Sequence, residues 1–160
     1  MGPNPTPSAT WSRLPQPRLD TVAVEPLVSR VVALERRLNV RVEGGYDTTV
    51  QADPDQIEQL LINLIRNAVD AVQETGGGVG LAWSSNDEIL VVELRDEGPG
   101  ISGSSNLFVP FYTTKPGGTG IGLVLCRQIA EAHGGTVTLV NRSDRTGCVA
   151  TLTLPSRSAV

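Results

Sequence analysis

The order of hydrophobic and polar positions along the chain predicts three helices, one lone strand and two hairpins. Apolar residues recur at helical spacing over residues 26–38, about 54–74, and 119 to about 133. Residues 40–42 alternate like a strand, and β-rich runs predict hairpins over 79–84 with 89–95 and over 136–141 with 148–154. Because the helices do not alternate strictly with the strands, the pattern favours an α+β two-layer sandwich over a doubly wound fold.

The long central helix carries one polar stripe. With about 100° per residue, the stripe is opposite the apolar face and comprises Gln59, Asn63, Asn67, Asp70 and Glu74. A solvated surface would explain such a stripe. Asparagine is nevertheless a poor helix former, so two of them one turn apart suggest that their carbonyl oxygens are needed, for example as ligands of Mg²⁺.

Two glycine-containing segments follow this helix. Residues 96–100 read DEGPG directly after a predicted strand, and residues 117–123 read GGTGIGL at a predicted helix start. Each segment alone is explained by turn formation, but glycines at a helix start also expose backbone amides to a phosphate. The connection over residues 96–118 exceeds the usual length of about 4–6 residues, which is typical of functional loops.

Composition excludes several classes of partner. The net charge of −4 and the pI near 5.0 give no electrostatic support for binding nucleic acid or an anionic membrane.

Residues 1–20 hold five of the eleven prolines and predict a linker or arm rather than a signal peptide. Cys126 and Cys148 lack metal-site spacing and are expected to be reduced core thiols of a cytoplasmic segment.

The order of the motifs is more specific than any one of them. An Asn-x-x-x-Asn helix, DEGPG, PFYTTK and GGTGIGL resemble the asparagine, first-glycine, phenylalanine and second-glycine boxes of the ATP-binding catalytic domain of sensor histidine kinases. The resemblance covers roughly residues 20–155 and ends in a segment similar to the family's last strand. That family shares its Bergerat-type fold with gyrase, Hsp90 and MutL ATPases: a mixed, mostly antiparallel sheet covered by helices on one face.

The resemblance implies roles for individual residues. Asn67 would coordinate Mg²⁺, Asn63 would support the phosphate side, Asp96 would accept from the adenine amino group, and Lys115 would reach the terminal phosphates. Asn63, Asn67 and Lys115 are thus the catalytic candidates. The remaining nucleotide-binding candidates are Asp70, Ala71, Gly98, Gly100, Ile101, Thr114, Gly118, Thr119, Gly120, Ile121, Gly122, Leu123 and Thr151. Residues 101–118 would form a mobile lid anchored by Phe108 and Phe111.

The same resemblance implies phosphoryl transfer rather than hydrolysis. Hydrolysing members of the fold carry a glutamate four residues before the metal-binding asparagine, whereas this chain has Asn63, whose amide cannot act as a general base. ATP and Mg²⁺ are the implied cofactors, and a response regulator is an implied partner. The only histidine, His133, matches a structural position, so the acceptor histidine is expected on a dimerisation domain of the same parent protein preceding residue 1.

Two other functions remain open from the sequence. An anti-sigma-factor serine kinase uses the same fold, although the lid sequence and the linker-like arm argue against it. A non-catalytic nucleotide-binding module is the other alternative, against which the retained Asn67, Asp96 and Lys115 argue. The predicted organisation is an arm over residues 1–20, a catalytic domain over 21–156 and a tail over 157–160, with no membrane contact by this segment.

Overall fold

The computed structural model describes residues 14–99, 120–144 and 146–156. Ten elements occur in this part of the chain. They are β1 (Asp20–Ala23), α1 (Val24–Leu34), β2 (Arg41–Gly44), β3 (Thr49–Ala52), α2 (Pro54–Thr75), β4 (Val79–Ser85), β5 (Ile89–Asp96), α3 (Gly120–Ala132), β6 (Thr136–Asn141) and β7 (Cys148–Pro155).

Five of the strands form the main sheet, in the order β2-β4-β5-β7-β6. The β2–β4 pair is parallel, and the other three pairs are antiparallel. The predicted hairpins are therefore confirmed as β4–β5 and β6–β7, and the sheet is mixed but mostly antiparallel. Because β5 and β7 lie at its centre, the end of β5 and the start of β7 meet inside the molecule.

The helices cover one face of the sheet. Side chains of successive strand residues point to opposite faces, and in β5 the buried positions Leu90, Val92 and Leu94 alternate with more exposed ones. The buried strand residues join those of α1, α2 and α3 in one hydrophobic core. The α+β two-layer architecture is thus confirmed.

The structure differs from the sequence expectation around α1. The helix starts at Val24 rather than at residue 26, because Pro26 lies in the first turn, where no intrahelical N–H bond is required. It ends at Leu34, and Glu35 is already extended. The antiparallel pair of β1 and β3 was not anticipated, since strands of four residues leave little periodicity to detect.

Candidate functional site

Asp96 is a carboxylate held inside the protein at the end of β5. It is only 5% exposed and is the one buried charged residue in the described part of the chain. Its Oδ1 accepts hydrogen bonds from the backbone N–H groups of Gly98 (2.9 Å) and Cys148 (3.2 Å). A carboxylate offers about four acceptor positions on its two oxygens. Asp96 is therefore fixed in place and chemically suited to accept from a ligand.

Ala71 of α2 lies beside this carboxylate. A methyl group added at Gly98 would lie 2.7 Å from Cβ of Ala71 and 3.1 Å from Oδ1 of Asp96. Only glycine therefore fits between the helix and the aspartate. The sequence candidates Ala71, Asp96 and Gly98 are thus brought together in the structure.

Glu97 joins the end of α2 to the end of β5. Its Oε1 accepts from the backbone N–H of Gly78 (2.6 Å), and its own N–H donates to the carbonyl of Gly78 (3.2 Å). Thr75 Oγ1 also donates to the carbonyl of Glu97 (3.3 Å). The helix with the two asparagines is consequently tied to the strand with the aspartate. Glu97 was not a candidate from the sequence, because a contact between distant segments leaves no local pattern.

The predicted polar stripe of α2 lies partly against α3. Asn63 is half-buried, and its Oδ1 accepts from Gln59 Nε2 (3.1 Å). Burial raises the pKa of the Cys126 thiol of α3 to about 12, and a hydrogen bond with the Asn63 side chain opposes that rise. The thiol is therefore neutral at physiological pH. Asn63 is thus located where α2 meets α3, not on a freely solvated surface.

Asn67 and Asp70 continue the stripe towards Ala71. Asn67 is half-buried on the turn of α2 between Asn63 and Ala71. The Asp70 carboxylate contacts Arg37 Nη1 at 2.6 Å, and Arg37 also bonds Glu35 (2.8 Å). Asp70 thus faces the chain after α1, and its carboxylate is engaged in an ion pair with Arg37 in this structure.

Thr151 is not brought to this site. In β7 the inward positions are Cys148, Ala150, Leu152 and Leu154, all buried, and Thr151 belongs to the opposite set. Its register partners are Glu93 and Thr138. The residue of β7 beside Asp96 is instead Cys148, its register partner. Alternation along β7 was visible in the sequence and would have separated the two positions.

Several sequence candidates lie outside the described residues. They are Gly100, Ile101, Thr114, Lys115, Gly118 and Thr119, together with Phe108, Phe111 and the whole proposed lid. Gly120, Ile121 and Gly122 belong to the first turn of α3, but only their backbone assignment is described. Leu123, the next residue, is buried in the core.

His133 has a structural environment. Its Nε2 accepts from the backbone N–H of Asp53 (3.0 Å), and its Nδ1 lies 2.8 Å from the carbonyl oxygen of Ile129. An acceptor Nε2 requires that Nδ1 carry the proton and donate to Ile129. The imidazole thus links the end of α3 to the start of α2, as a packing role predicts.

The described residues fit a purine nucleotide with a hard cation. A buried carboxylate that can accept from an amino group lies beside one end of the polar stripe, and asparagine carbonyl oxygens of the kind that Mg²⁺ prefers lie along it. In a helix that rises about 1.5 Å per residue, Asn67 and Asn63 are about 6 and 12 Å from Ala71 along the axis. Starting from Ala71, which lies beside the base-recognising Asp96, the metal-binding candidates therefore follow in one direction along the helix axis.

Comparison with known proteins identifies the family of the chain. The family described as histidine kinase-, DNA gyrase B-, and HSP90-like ATPase matches residues 52–158. The C4-dicarboxylate transport sensor protein DctS of Rhodobacter capsulatus is 40% identical over 145 residues, which cover 86% of this chain and 22% of DctS. The sensor histidine kinase ZraS of Escherichia coli (strain K12) is 36% identical over 108 residues, which cover 66% of this chain and 23% of ZraS. The chain thus spans less than a quarter of the length of these two relatives.

Solved structures show the same architecture. The nucleotide-free catalytic domain of histidine kinase ThkA superposes with a TM-score of 0.75 at 30% identity, covering 88% of this chain and 97% of that domain. Full-length ShkA in complex with AMPPNP gives a TM-score of 0.72 at 25% identity, covering 89% of this chain and 32% of ShkA.

Within the described residues, none of the helices combines the length and the apolar character that crossing a bilayer would demand.

Proposed function

On the premise that the chain belongs to the histidine kinase-, DNA gyrase B- and HSP90-like ATPase family, and is a histidine kinase ATP-binding catalytic domain, we propose how its residues serve that activity. It binds Mg²⁺-ATP and supports transfer of the γ-phosphoryl group to a histidine on a separate dimerisation domain of its parent protein. The observation that carries this proposal is the buried, backbone-held carboxylate of Asp96 beside the asparagine-bearing face of α2. A response regulator then receives the phosphoryl group from that histidine.

Base recognition falls to Asp96. Its carboxylate accepts a hydrogen bond from the adenine amino group while Gly98 lets the backbone and Ala71 approach closely. Because two backbone amides fix Oδ1, little side-chain freedom is lost when the base binds. The position is also largely withdrawn from water, where an unmade hydrogen bond is costly.

Phosphate and metal contacts fall to α2 and to residues around the start of α3. Asn67 would hold Mg²⁺ through its side-chain oxygen, Asn63 would support the phosphate side, and Lys115 with the amides of Thr119, Gly120 and Gly122 would contact the phosphates. Bound Mg²⁺ would neutralise phosphate charge. Asn63 cannot take a proton from water near neutral pH, so transfer to a protein acceptor is favoured over hydrolysis.

The relatives and structural neighbours described above are sensor proteins or histidine kinases, and they give no support to a serine kinase of the anti-sigma-factor type or to a non-catalytic module. We infer that the parent protein is a sensor kinase, which can be membrane-anchored without membrane contact by this domain.

Isothermal titration with ADP tests the proposed site. The chain should bind ADP in the micromolar range with Mg²⁺ and more weakly with EDTA. Asp96→Asn keeps the shape but replaces an acceptor oxygen by NH₂, and should weaken binding by about 1–3 kcal/mol. Asn67→Ala should remove most of the Mg²⁺ dependence.

Gln73→Ala is the matched control for these variants, since Gln73 is an exposed amide on the same helix. It should bind ADP like the unmodified chain. Affinity unchanged in Asp96→Asn would disprove the base-recognition role, and Mg²⁺ dependence unchanged in Asn67→Ala would disprove the metal role.

A further inference from the structure

Arg142 is a largely buried arginine in the turn between β6 and β7. Its backbone N–H donates to the carbonyl of Gly147 (3.0 Å), which closes the turn. Its Nε and Nη2 donate to the two carboxylate oxygens of Asp144, at 3.0 and 2.8 Å. The Arg142 side chain is 12% exposed although that of Asp144 is 60% exposed. Asp144 thus holds the guanidinium through a bidentate pair, and the side of the guanidinium away from Asp144 faces the interior.

The inward side of Arg142 faces the backbone of Asp96. Its Nη1 donates a long hydrogen bond of 3.4 Å to the carbonyl oxygen of Asp96. Its Cδ lies 3.0 Å from where a side chain would begin at Gly147, so the arginine stem occupies the space that this glycine leaves. The hydrogen bond to Asp144, opposed by burial and assisted by the charges of Asp144, Glu97 and Asp96, raises the pKa of Arg142.

A fixed positive charge at this point affects what Asp96 can do. A nearby cation favours the ionised form of a carboxylate, which only accepts hydrogen bonds, whereas the protonated form also donates. Contact with the Asp96 carbonyl also restrains the backbone from which the carboxylate projects. Both effects favour an acceptor in one orientation, which an amino group on a base requires.

We propose that Arg142 is a positioning residue for adenine recognition and that it acts through Asp96. This inference rests on the proposed function, because it concerns the same base-binding site. Arg142 itself does not touch the nucleotide. Its loss weakens the preference for a base that carries an amino group and leaves the phosphate contacts in place.

The ratio of two dissociation constants measures this effect. ADP carries the 6-amino group that Asp96 accepts from, and inosine diphosphate carries a carbonyl there, so the ratio Kd(IDP)/Kd(ADP) reports base recognition alone. In Arg142→Gln this ratio should fall by about 3- to 10-fold, because a hydrogen bond to a charged acceptor is weakened but not removed. Arg142→Lys, which keeps the charge, should retain most of the ratio.

Arg95→Gln is the matched control, because Arg95 adjoins Asp96 in β5 but is exposed and pairs with Glu93 at 3.0 Å. Its ratio should equal that of the unmodified chain. Arg142→Gln added to Asp96→Asn should lower the ratio no further, since both changes act on one hydrogen bond. If Arg142→Gln does not fold, Asp144→Asn, which removes the anchor of the guanidinium, should lower the same ratio by a smaller factor.

An unchanged ratio in Arg142→Gln, or in Asp144→Asn where only that variant folds, overturns the inference. The proposed function survives that result as long as the unmodified chain binds ADP more tightly than IDP. An unmodified chain that binds neither nucleotide refutes the proposed function, and the inference with it. Equal loss of affinity for both nucleotides in Arg142→Gln means a purely structural role and also overturns it.

Discussion

The backbone of Gly147 and Cys148 makes close contacts with Asp96. Gly147 has φ 134° and lies so close to the Asp96 carbonyl that an added methyl group would overlap that oxygen. The approach brings the N–H of the next residue, Cys148, onto the carboxylate. The absence of a side chain at residue 147 is therefore part of how Asp96 is held.

Gly147→Ala should both destabilise the fold and weaken ADP binding. The backbone conformation is one that L-residues rarely adopt, and overlap with a backbone oxygen adds to the strain. We expect a loss of about 2–4 kcal/mol in the free energy of unfolding, measured in urea, from the combined dihedral strain and overpacking.

Gly44→Ala separates the two causes. Gly44 has a similar φ of 133°, but a methyl group there meets no atom within 4 Å. It should lose only the dihedral part, about 1–2 kcal/mol, and keep its affinity for ADP. If both variants lose the same stability and bind ADP alike, the close contact between residue 147 and Asp96 contributes neither to the free energy of unfolding nor to ADP affinity.

The sequence singled out Asp96 because its motif is contiguous, whereas the direction in which Thr151 faces depends on the register of β7 as well as on its alternation. Once β7 pairs with β5 so that Cys148 is opposite Asp96, Thr151 must face away. Arg142 and Glu97 went unnoticed for a related reason. Both act through contacts with residues 19 to 46 positions away, which no local pattern encodes.

Helix α2 packs against α1, α3, β4 and β5, and its first turn also joins the preceding arm to the helix. Asp53 caps the helix by accepting from the N–H groups of Asp55 (3.0 Å) and Gln56 (3.1 Å). Its other oxygen accepts from the N–H of Arg18 (3.0 Å), and Gln56 Nε2 donates to the carbonyl of Pro15 (3.0 Å). Residues 15–18 of the proline-rich arm are thereby fastened to the start of this helix.

Asp53→Ala should lower stability in a pH-dependent way. Burial alone raises the pKa of Asp53, but the three backbone N–H donors outweigh it and hold the pKa below its usual value. The folded state thus favours the carboxylate, so its stabilisation is complete above the unfolded pKa of about 3.9 and is lost as the pH falls through the lower folded-state pKa. The variant should be less stable at neutral pH by about 0.5–2 kcal/mol.

Urea unfolding at neutral pH and at several acidic values measures this difference. It should stay constant down to about pH 5 and shrink below about pH 4. Asp47→Ala is the control, since Asp47 is an exposed carboxylate in the loop before β3, and it should change stability little. A difference that grows on acidification would show that Asp53 does not cap as an ionised group.

At the scale of the whole molecule, hydrophobic periodicity was enough to predict the long α2, both hairpins and the two-layer arrangement, because each rests on a run of buried residues. It could not predict the pairing of β1 with β3, in which Val22 and Val50 are the register pair buried in the core. It also could not predict that the arm would dock on α2, because hydrogen bonds to backbone carbonyls leave no trace in residue type.

The last prediction concerns which molecule receives the phosphoryl group. His133 is the only histidine of the chain, and both of its ring nitrogens are engaged with the backbone, one with Asp53 and one with Ile129. Phosphorylation of Nε2 would displace the Asp53 N–H and break the link between α3 and the start of α2, and phosphorylation of Nδ1 would displace the Ile129 carbonyl. The purified chain incubated with γ-labelled ATP should therefore acquire no acid-labile phosphate, although the same preparation binds ADP. Adding a histidine-bearing dimerisation domain of the parent kinase should produce labelled histidine on that added domain, and the Asn67→Ala variant should produce little. Label on the chain alone that disappears in His133→Gln would show instead that His133 is the acceptor.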